Sequence, residues 1–196
     1  FHSQSNEAWF FHTPGLKIVY PSSASDAKGL LNAAIEDPNP YLFFEHKALY
    51  RSQKENIYDD YYTTEVGKAE IVCNGDDLTI ITYGMGVHWA KEALNKISNH
   101  SVEVVDLRTL QPWDKETVKK SVCKTNKVFI IHEDCISGGI GAEISAWINE
   151  NLFEYLDAPV TREGGLDTPV PFRKELEDNF MPISRIGAKI RKLLNF

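Results

Sequence analysis

The chain has 196 residues, 42% hydrophobic, 25% charged and 11% aromatic, with 28 acidic against 21 basic side chains and a net charge of −7. Such a composition belongs to a globular protein of one to two domains and excludes a disordered or fibrous chain. The acidic balance argues against duplex nucleic acid or an anionic membrane as partner, and no apolar run approaches the ~20 residues of a spanning helix.

Taken in order, residues 6–11 are expected to form a short helix capped by Ser3 or Ser5 and stopped by Pro14-Gly15. Residues 16–20 are apolar enough for a buried strand. Ser23, with Asp26 three positions on, caps a longer helix whose Ala24, Ala27, Leu30, Leu31, Ala34 and Ile35 line one face. Asp37-Pro38 ends it, and residues 41–44 read as a buried strand. From Glu45 to about Val66 the charged, tyrosine-rich sequence shows neither period and reads as an extended linker. Strands are then expected at 68–73, 78–83, 102–106, 127–132 and 160–162. Between and after them come helices with stripes Val87/Ala90/Leu94/Ile97, Val118/Val122 behind the cap Asp114, Ile140/Ile144/Ile148/Leu152 and Ile186/Ile190/Leu193/Leu194. Alternating strands and helices predict an α/β layered fold with a mostly parallel sheet.

In open α/β sheets ligands gather at the carboxyl ends of strands. Two such ends carry glycine turns: Tyr83-Gly84-Met85-Gly86, and His132-Glu133-Asp134-Cys135 followed by Gly138-Gly139-Ile140-Gly141. A glycine turn at a helix start can cradle an anion, or simply let helix and strand approach closely; neither turn completes a nucleotide-binding fingerprint. Four consecutive polar residues on a strand point alternately to opposite faces, so His132 to Cys135 read as a polar strand end rather than a metal site. Cys73, Cys123 and Cys135 lack a Cys-x-x-Cys pair and read as buried thiols in a reducing compartment. His2 by spacing alone is a surface histidine. The helix end at Ala34 to Pro40 could meet either a hard cation through backbone oxygens or water. The only methionines are Met85 and Met181, so the chain is expected to be a piece of a longer protein.

Longer strings of sequence carry a resemblance. His2-Ser3-Gln4-Ser5 with Glu7-Ala8, Pro14-Gly15-Leu16-Lys17, Asp26-Ala27-Lys28-Gly29-Leu30-Leu31, and Phe43-Phe44-Glu45-His46-Lys47 with Leu49-Tyr50-Arg51 form the first part. Asp106-Leu107-Arg108-Thr109-Leu110, Pro112-Trp113-Asp114, His132-Glu133 with Gly138-Gly139, Leu156 to Val160, and Asp167-Thr168-Pro169 with Pro171 continue it. Together they resemble the beta subunit of the thiamine-diphosphate-dependent component of 2-oxo acid dehydrogenase complexes. Ser5, Phe43-Phe44-Glu45 and Pro112-Trp113-Asp114 lie closer to the branched-chain (2-oxoisovalerate) members.

The resemblance implies that residues 1–50 are the C-terminal part of a pyrimidine-binding domain, 51–65 a linker, and 66–196 a transketolase C-terminal-like domain. It implies decarboxylation of a 2-oxo acid on thiamine diphosphate with magnesium, then reductive acylation of a lipoyl group. His2 matches the family's active-site histidine, suited to proton delivery as the dithiolane opens. Ala34, Asp37 and Asn39 match positions that bind a structural potassium ion, Ala34 through its carbonyl. The glutamate that activates the cofactor and the Gly-Asp-Gly motif that holds the magnesium diphosphate have no match, since Asn74-Gly75-Asp76-Asp77 is not that motif. The fragment alone is therefore expected to be inactive. The implied partners are an alpha subunit or alpha region, a second beta copy, and the lipoyl-bearing acyltransferase, whose subunit-binding domain would meet the final helix. The implied compartment is the bacterial cytoplasm, or the mitochondrial matrix in a eukaryote. Pyruvate or acetoin dehydrogenase, another transketolase-like enzyme, and a non-catalytic flavodoxin-like interaction module are the alternatives.

Overall fold

A computed structural model describes residues 4–196. Ser3, one of the two expected caps, lies outside the described residues, and the cap position of the first helix is Asn6, which makes no side-chain cap bond. That helix, α1, spans Glu7–Phe11. It is followed by β1 (Lys17–Val19), α2 (Ala24–Glu36), β2 (Tyr41–Phe43) and α3 (Leu49–Ser52). The second stretch holds β3 (Glu70–Cys73), β4 (Leu78–Thr82), α4 (Met85–Leu94), β5 (Val102–Asp106), β6 (Thr109–Gln111) and α5 (Lys115–Thr125). It ends with β7 (Val128–Cys135), α6 (Ile140–Leu152), a 3-10 turn at Phe153–Tyr155, β8 (Thr161–Gly165), α7 (Lys174–Phe180) and α8 (Ile183–Leu194).

The larger sheet has strand order β3-β5-β4-β7-β8, parallel throughout except for the antiparallel edge pair β3–β5. Every residue of β4 and β5 is buried, including the polar Thr79, Thr82, Glu103 and Asp106, as expected of central strands covered on both faces. Alternate side chains feed two cores. Ile81 and Ile130 point to one shared with Trp113, Val118, Ile144 and Ile148; Ile80 and Phe129 point to another shared with Trp89, Ile186 and Ile190. The smaller sheet has order β2-β1-β6, with β1–β2 parallel and β1–β6 antiparallel.

Several sequence expectations need correction. The strand expected to stop at 132 continues to Cys135, because β8 runs alongside it as far as the Cys135–Gly165 pair. Of the apolar stripe on α2 only Leu30 is buried: Leu31 and Ile35 are exposed, and the buried face is made of Asp26, Gly29 and Leu30. The reason is chain crossing close to Gly29, where an added Cβ would sit 2.1 Å from Thr64 Oγ1. The segment read as featureless contains α3, and its remainder straps across α2: Thr64 N–H donates to Gly29 O at 3.0 Å and Asn32 Nδ2 to Tyr62 O at 2.8 Å. The three cysteines are free but half-buried rather than buried. The strand β6 and the helix α7 are additional elements that the sequence pattern does not predict. Ser23 and Asp114 do cap their helices, accepting from the amides of Asp26 and Thr117.

Candidate functional site

The carboxyl ends of β4 and β7 lie side by side, and α1 closes over them. Beyond β4 the Tyr83 ring lies 6.5 Å from His132, nearly parallel at 15°, and 5.4 Å from the Tyr20 ring beyond β1. The Tyr83 hydroxyl donates to Glu7 Oε1 at 2.9 Å. Glu7 is 1% exposed. Burial, then the negative charges of Asp134 and Glu133, push its carboxyl up to about 7, against the pull of the Tyr83 bond. Burial and the neighbouring Glu7 likewise hold the Tyr83 hydroxyl far above its ordinary value.

Glu133 and His46 join the two stretches of chain. His46 Nε2 lies 2.6 Å from Glu133 Oε2, while its Nδ1 accepts from the Ala48 amide at 3.3 Å, so Nε2 carries the proton. Burial disfavours the charged ring, but the bond and charge of Glu133 overcome it and raise His46 above its ordinary value. His132 is fully buried, and its Nδ1–H donates to Asp134 O at 3.0 Å. Its Nε2 has no partner. Burial pushes this imidazole down to about 4, so it is neutral at physiological pH. Gly139, Gly141 and Gly164 form the ring's slot, since a Cβ on any of them would come within 2.6–2.8 Å of it. These glycines let the helix and strand backbone pack closely around the ring. Among the described residues no group of three or more histidine, cysteine or acidic side chains could hold a metal ion.

Of the residues singled out from the sequence, His2 lies outside the described residues. Ala34, Asp37 and Asn39 lie together at the end of α2. The Asp37 carboxylate is already engaged: Oδ2 takes Lys17 Nζ and the Tyr41 hydroxyl (2.9 Å), and Oδ1 takes the Asn39 amide (2.9 Å) and Nδ2 (2.6 Å). The Lys17 bond, with the help of Asn39 and Tyr41, holds that carboxyl well below the usual range. The turn Asn74 to Asp77 is structural: Gly75 lies against the Val102 and Glu103 backbone, and Asp77 Oδ2 accepts from the Ser101 amide at 2.7 Å. Sequence reasoning missed the Glu7–Tyr83 and His46–Glu133 pairs. It also missed a second seam cluster, in which Arg108 Nε donates to Asp26 at 2.9 Å and the Ser22 hydroxyl donates to buried Asp106 at 2.5 Å.

Comparison with known proteins gives these residues a context. The family model of the transketolase pyrimidine-binding domain matches residues 1–53, and that of the transketolase C-terminal domain matches residues 67–185. A 2-oxoisovalerate dehydrogenase subunit beta from Bacillus subtilis is 45% identical over all of this chain and 61% of its own length. The subunit beta 2 of the mitochondrial 2-oxoisovalerate dehydrogenase of Arabidopsis thaliana is 44% identical over 100% of this chain and 55% of its own. A mitochondrial pyruvate dehydrogenase E1 component subunit beta-2 from Oryza sativa subsp. japonica is 43% identical over 92% of this chain and 50% of its own. The chain thus spans between half and about three-fifths of the length of these relatives. A solved structure described as a split-gene transketolase, inactive beta4 tetramer, superposes with a TM-score of 0.79 at 23% identity, covering 99% of this chain and 62% of that one.

Proposed function

The chain belongs to the transketolase family through its pyrimidine-binding and C-terminal domains, and from that premise we propose that it is part of the beta subunit of a branched-chain 2-oxo acid dehydrogenase. The observation that carries the reading is the end-to-end similarity to 2-oxoisovalerate dehydrogenase beta subunits. In this reading residues 1–50 belong to the pyrimidine-binding domain, 51–65 link, and 66–196 form the C-terminal domain. The intact enzyme decarboxylates 2-oxoisovalerate or a related acid and acylates a lipoyl group reductively, with thiamine diphosphate supplying the carbanion chemistry. In this reading the cofactor's diphosphate and magnesium are held by residues outside these 196, which alone are inactive; the Asn74–Asp77 turn, where Asp77 accepts from the Ser101 amide, is not part of that site.

His2 is the catalytic residue of this chain, delivering a proton to the lipoyl sulfur. Ala34, Asp37 and Asn39 hold potassium. Because both Asp37 oxygens are engaged within the chain, the ion meets backbone carbonyls at the end of α2. The partners are an alpha subunit, a second beta copy and the lipoyl-bearing acyltransferase. No helix among the described residues is long and apolar enough to cross a membrane, and the named relatives include bacterial and mitochondrial proteins.

The test is lipoamide-dependent turnover by the intact beta subunit assembled with its alpha subunit. We expect 2-oxoisovalerate to be preferred over pyruvate, and His2→Ala to lose activity while still assembling. Preference for pyruvate would move the chain to the pyruvate dehydrogenases. No turnover with either acid would refute the reading.

A further inference from the structure

We propose that Glu7, latched by Tyr83, is a positioning residue that fixes α1, the helix that follows the segment bearing His2, against the carboxyl ends of β4 and β7. The proposal rests on the catalytic reading of His2 given above.

Helix α1 has five residues and no side-chain cap, too short to persist by its own hydrogen bonds. Trp9 and Phe10 on it face outward. What anchors it is an acidic side chain turned inward, with Ala8 and Phe11 packed beside it on the core. A carboxyl this deeply buried must be paired with a cation or carry a proton. Tyr83 beyond β4 donates to it, Tyr20 beyond β1 is a neutral phenol, and Glu133 and Asp134 on β7 are like charges. His46 beyond β2 is committed to Glu133, and His132 is neutral and bonded to Asp134 O. On the far side, Glu143 of α6 and Lys115 of α5 line the open groove under Ala8, Phe11 and His12. Against Glu133 and Asp134 the carboxyl is stable in place as the neutral acid; ionised, it is repelled by both, and α1 loosens.

His2 precedes Glu7 by five residues in the sequence. Catalysis tolerates little positional freedom: a misplacement of about 1 Å can cost roughly a hundredfold in rate. A fixed α1 gives the chain that leads to His2 a fixed point of attachment at Glu7.

The experiment uses the intact alpha–beta enzyme with cofactor bound, in wild type, Glu7→Gln, Glu7→Leu and Tyr83→Phe forms. Gln keeps the oxygen that accepts from Tyr83 but cannot ionise. Hydrogen exchange of the peptide covering 7–11, corrected for intrinsic rate, is followed from pH 6 to 8.5, alongside kcat and KM for the 2-oxo acid. In wild type, protection of α1 should fall as pH rises through about 7. In Glu7→Gln it should be independent of pH, with the alkaline limb of kcat displaced upward and KM unchanged. Glu7→Leu and Tyr83→Phe should lose protection at every pH, with kcat down roughly tenfold to a hundredfold. Wild-type protection without pH dependence, a Gln variant with the wild-type profile, or altered protection without change in kcat would each overturn the proposal. Glu7→Gln preserves size and keeps the test open if Glu7→Leu fails to assemble. His2→Ala with full activity would instead overturn the catalytic reading, while the exchange data still report on the latch.

Discussion

Replacing Gly141 by alanine isolates one feature of the candidate site, the glycine-walled slot around His132. Gly141 lies in the first turn of α6. Elsewhere in a helix, glycine to alanine gains about 1 kcal/mol, because alanine loses less backbone freedom on folding. Here a Cβ would stand 2.7 Å from both Cδ2 and Nε2 of His132 and 3.1 Å from Ile130 Cγ2. The ring cannot withdraw. Its Nδ1 is bonded to Asp134 O at 3.0 Å, and its other edges are bordered by Gly139 and Gly164 at similarly short range. Overpacking of a closed core costs about 1–3 kcal/mol, so the penalty exceeds the helix gain.

Gly187 in α8 is the internal control, since a Cβ there meets nothing nearer than Arg191 Nη1 at 3.5 Å. Gly187→Ala should stabilise by about 0.5–1 kcal/mol, whereas Gly141→Ala should give no stabilisation and a net loss of up to about 2 kcal/mol. In thermal unfolding these correspond to opposite displacements, about 2–4 °C per kcal/mol for a chain of this size. A third arm localises the cause: introduced into a His132→Ala background, Gly141→Ala should cease to be destabilising, a coupling of about 1–3 kcal/mol. Equal stabilisation by Gly141→Ala and Gly187→Ala would refute the enclosed slot.

Two further outcomes follow from buried charge. Burial pushes the Asp106 carboxyl from 3.8 up to about 7 despite the bonds from Ser22 and the Arg108 amide. A raised acid contributes stability that is complete below the unfolded pKa and lost as pH rises towards 7, here about 4 kcal/mol across the window. His132, lowered to about 4, acts oppositely: its contribution is complete above 6.5 and lost as pH falls. Urea unfolding of Asp106→Asn between pH 4 and 7 should therefore show stability rising more steeply with pH than in wild type, and parallel curves would contradict the buried, raised carboxyl. Arg185 binds Glu163 Oε1 at 2.9 Å and the carbonyls of Gly164, Asn179, Phe180 and Met181, tying β8 to the turn before α8. Arg185→Gln should lower the urea unfolding free energy by about 2 kcal/mol, with Lys189 left as the partner of Glu163. A change below about 0.5 kcal/mol would show that these contacts are not structural.

What the sequence made legible follows from where each element is buried. The strands β4, β5 and β7 and the stripes of α5, α6 and α8 are core elements rich in β-branched and apolar residues or apolar at helical spacing, and both kinds of signal survive in one dimension. The helix α7 (Lys174–Phe180) buries only Phe180, so no period betrays it. The strand β6 is three residues between Arg108 and Pro112, set by its partner β1 rather than by its own composition. The stripe on α2 was visible, but its direction was not: the inward face is set by Gly29 under Thr64 and by the Asp26–Arg108 pair, both non-local. Glu7 was legible only as part of a family motif. A glutamate in a first turn ordinarily faces water and complements the helix dipole. Its burial depends on Tyr83, Glu133 and Asp134, residues more than 70 positions away along the chain.

The location of β6 explains why that site lies where it does. Although Thr109–Gln111 belongs to the second stretch of chain, it completes the sheet begun by β1, pairing Ile18 with Gln111 and Val19 with Thr109. Tyr20 N–H then donates to Arg108 O at 2.8 Å, and Gly67 N–H to Thr109 Oγ1 at 3.0 Å. The two regions matched by separate family models therefore share a sheet and a core, with Ile18, Tyr20 and Leu110 packed among Tyr83, Ile130 and Ile144. Such a seam cannot slide by one residue without moving Ile18 and Tyr20 off their partners. It holds the ends of β1, β4 and β7 in fixed register, and the polar groups at those ends are gathered by construction. Glu7, His46, Tyr83 and Glu133 come from four separate stretches of chain, and the shared sheet is what makes their distances reproducible. A chemical site built from them depends on the seam, while either region taken without the other would scatter them.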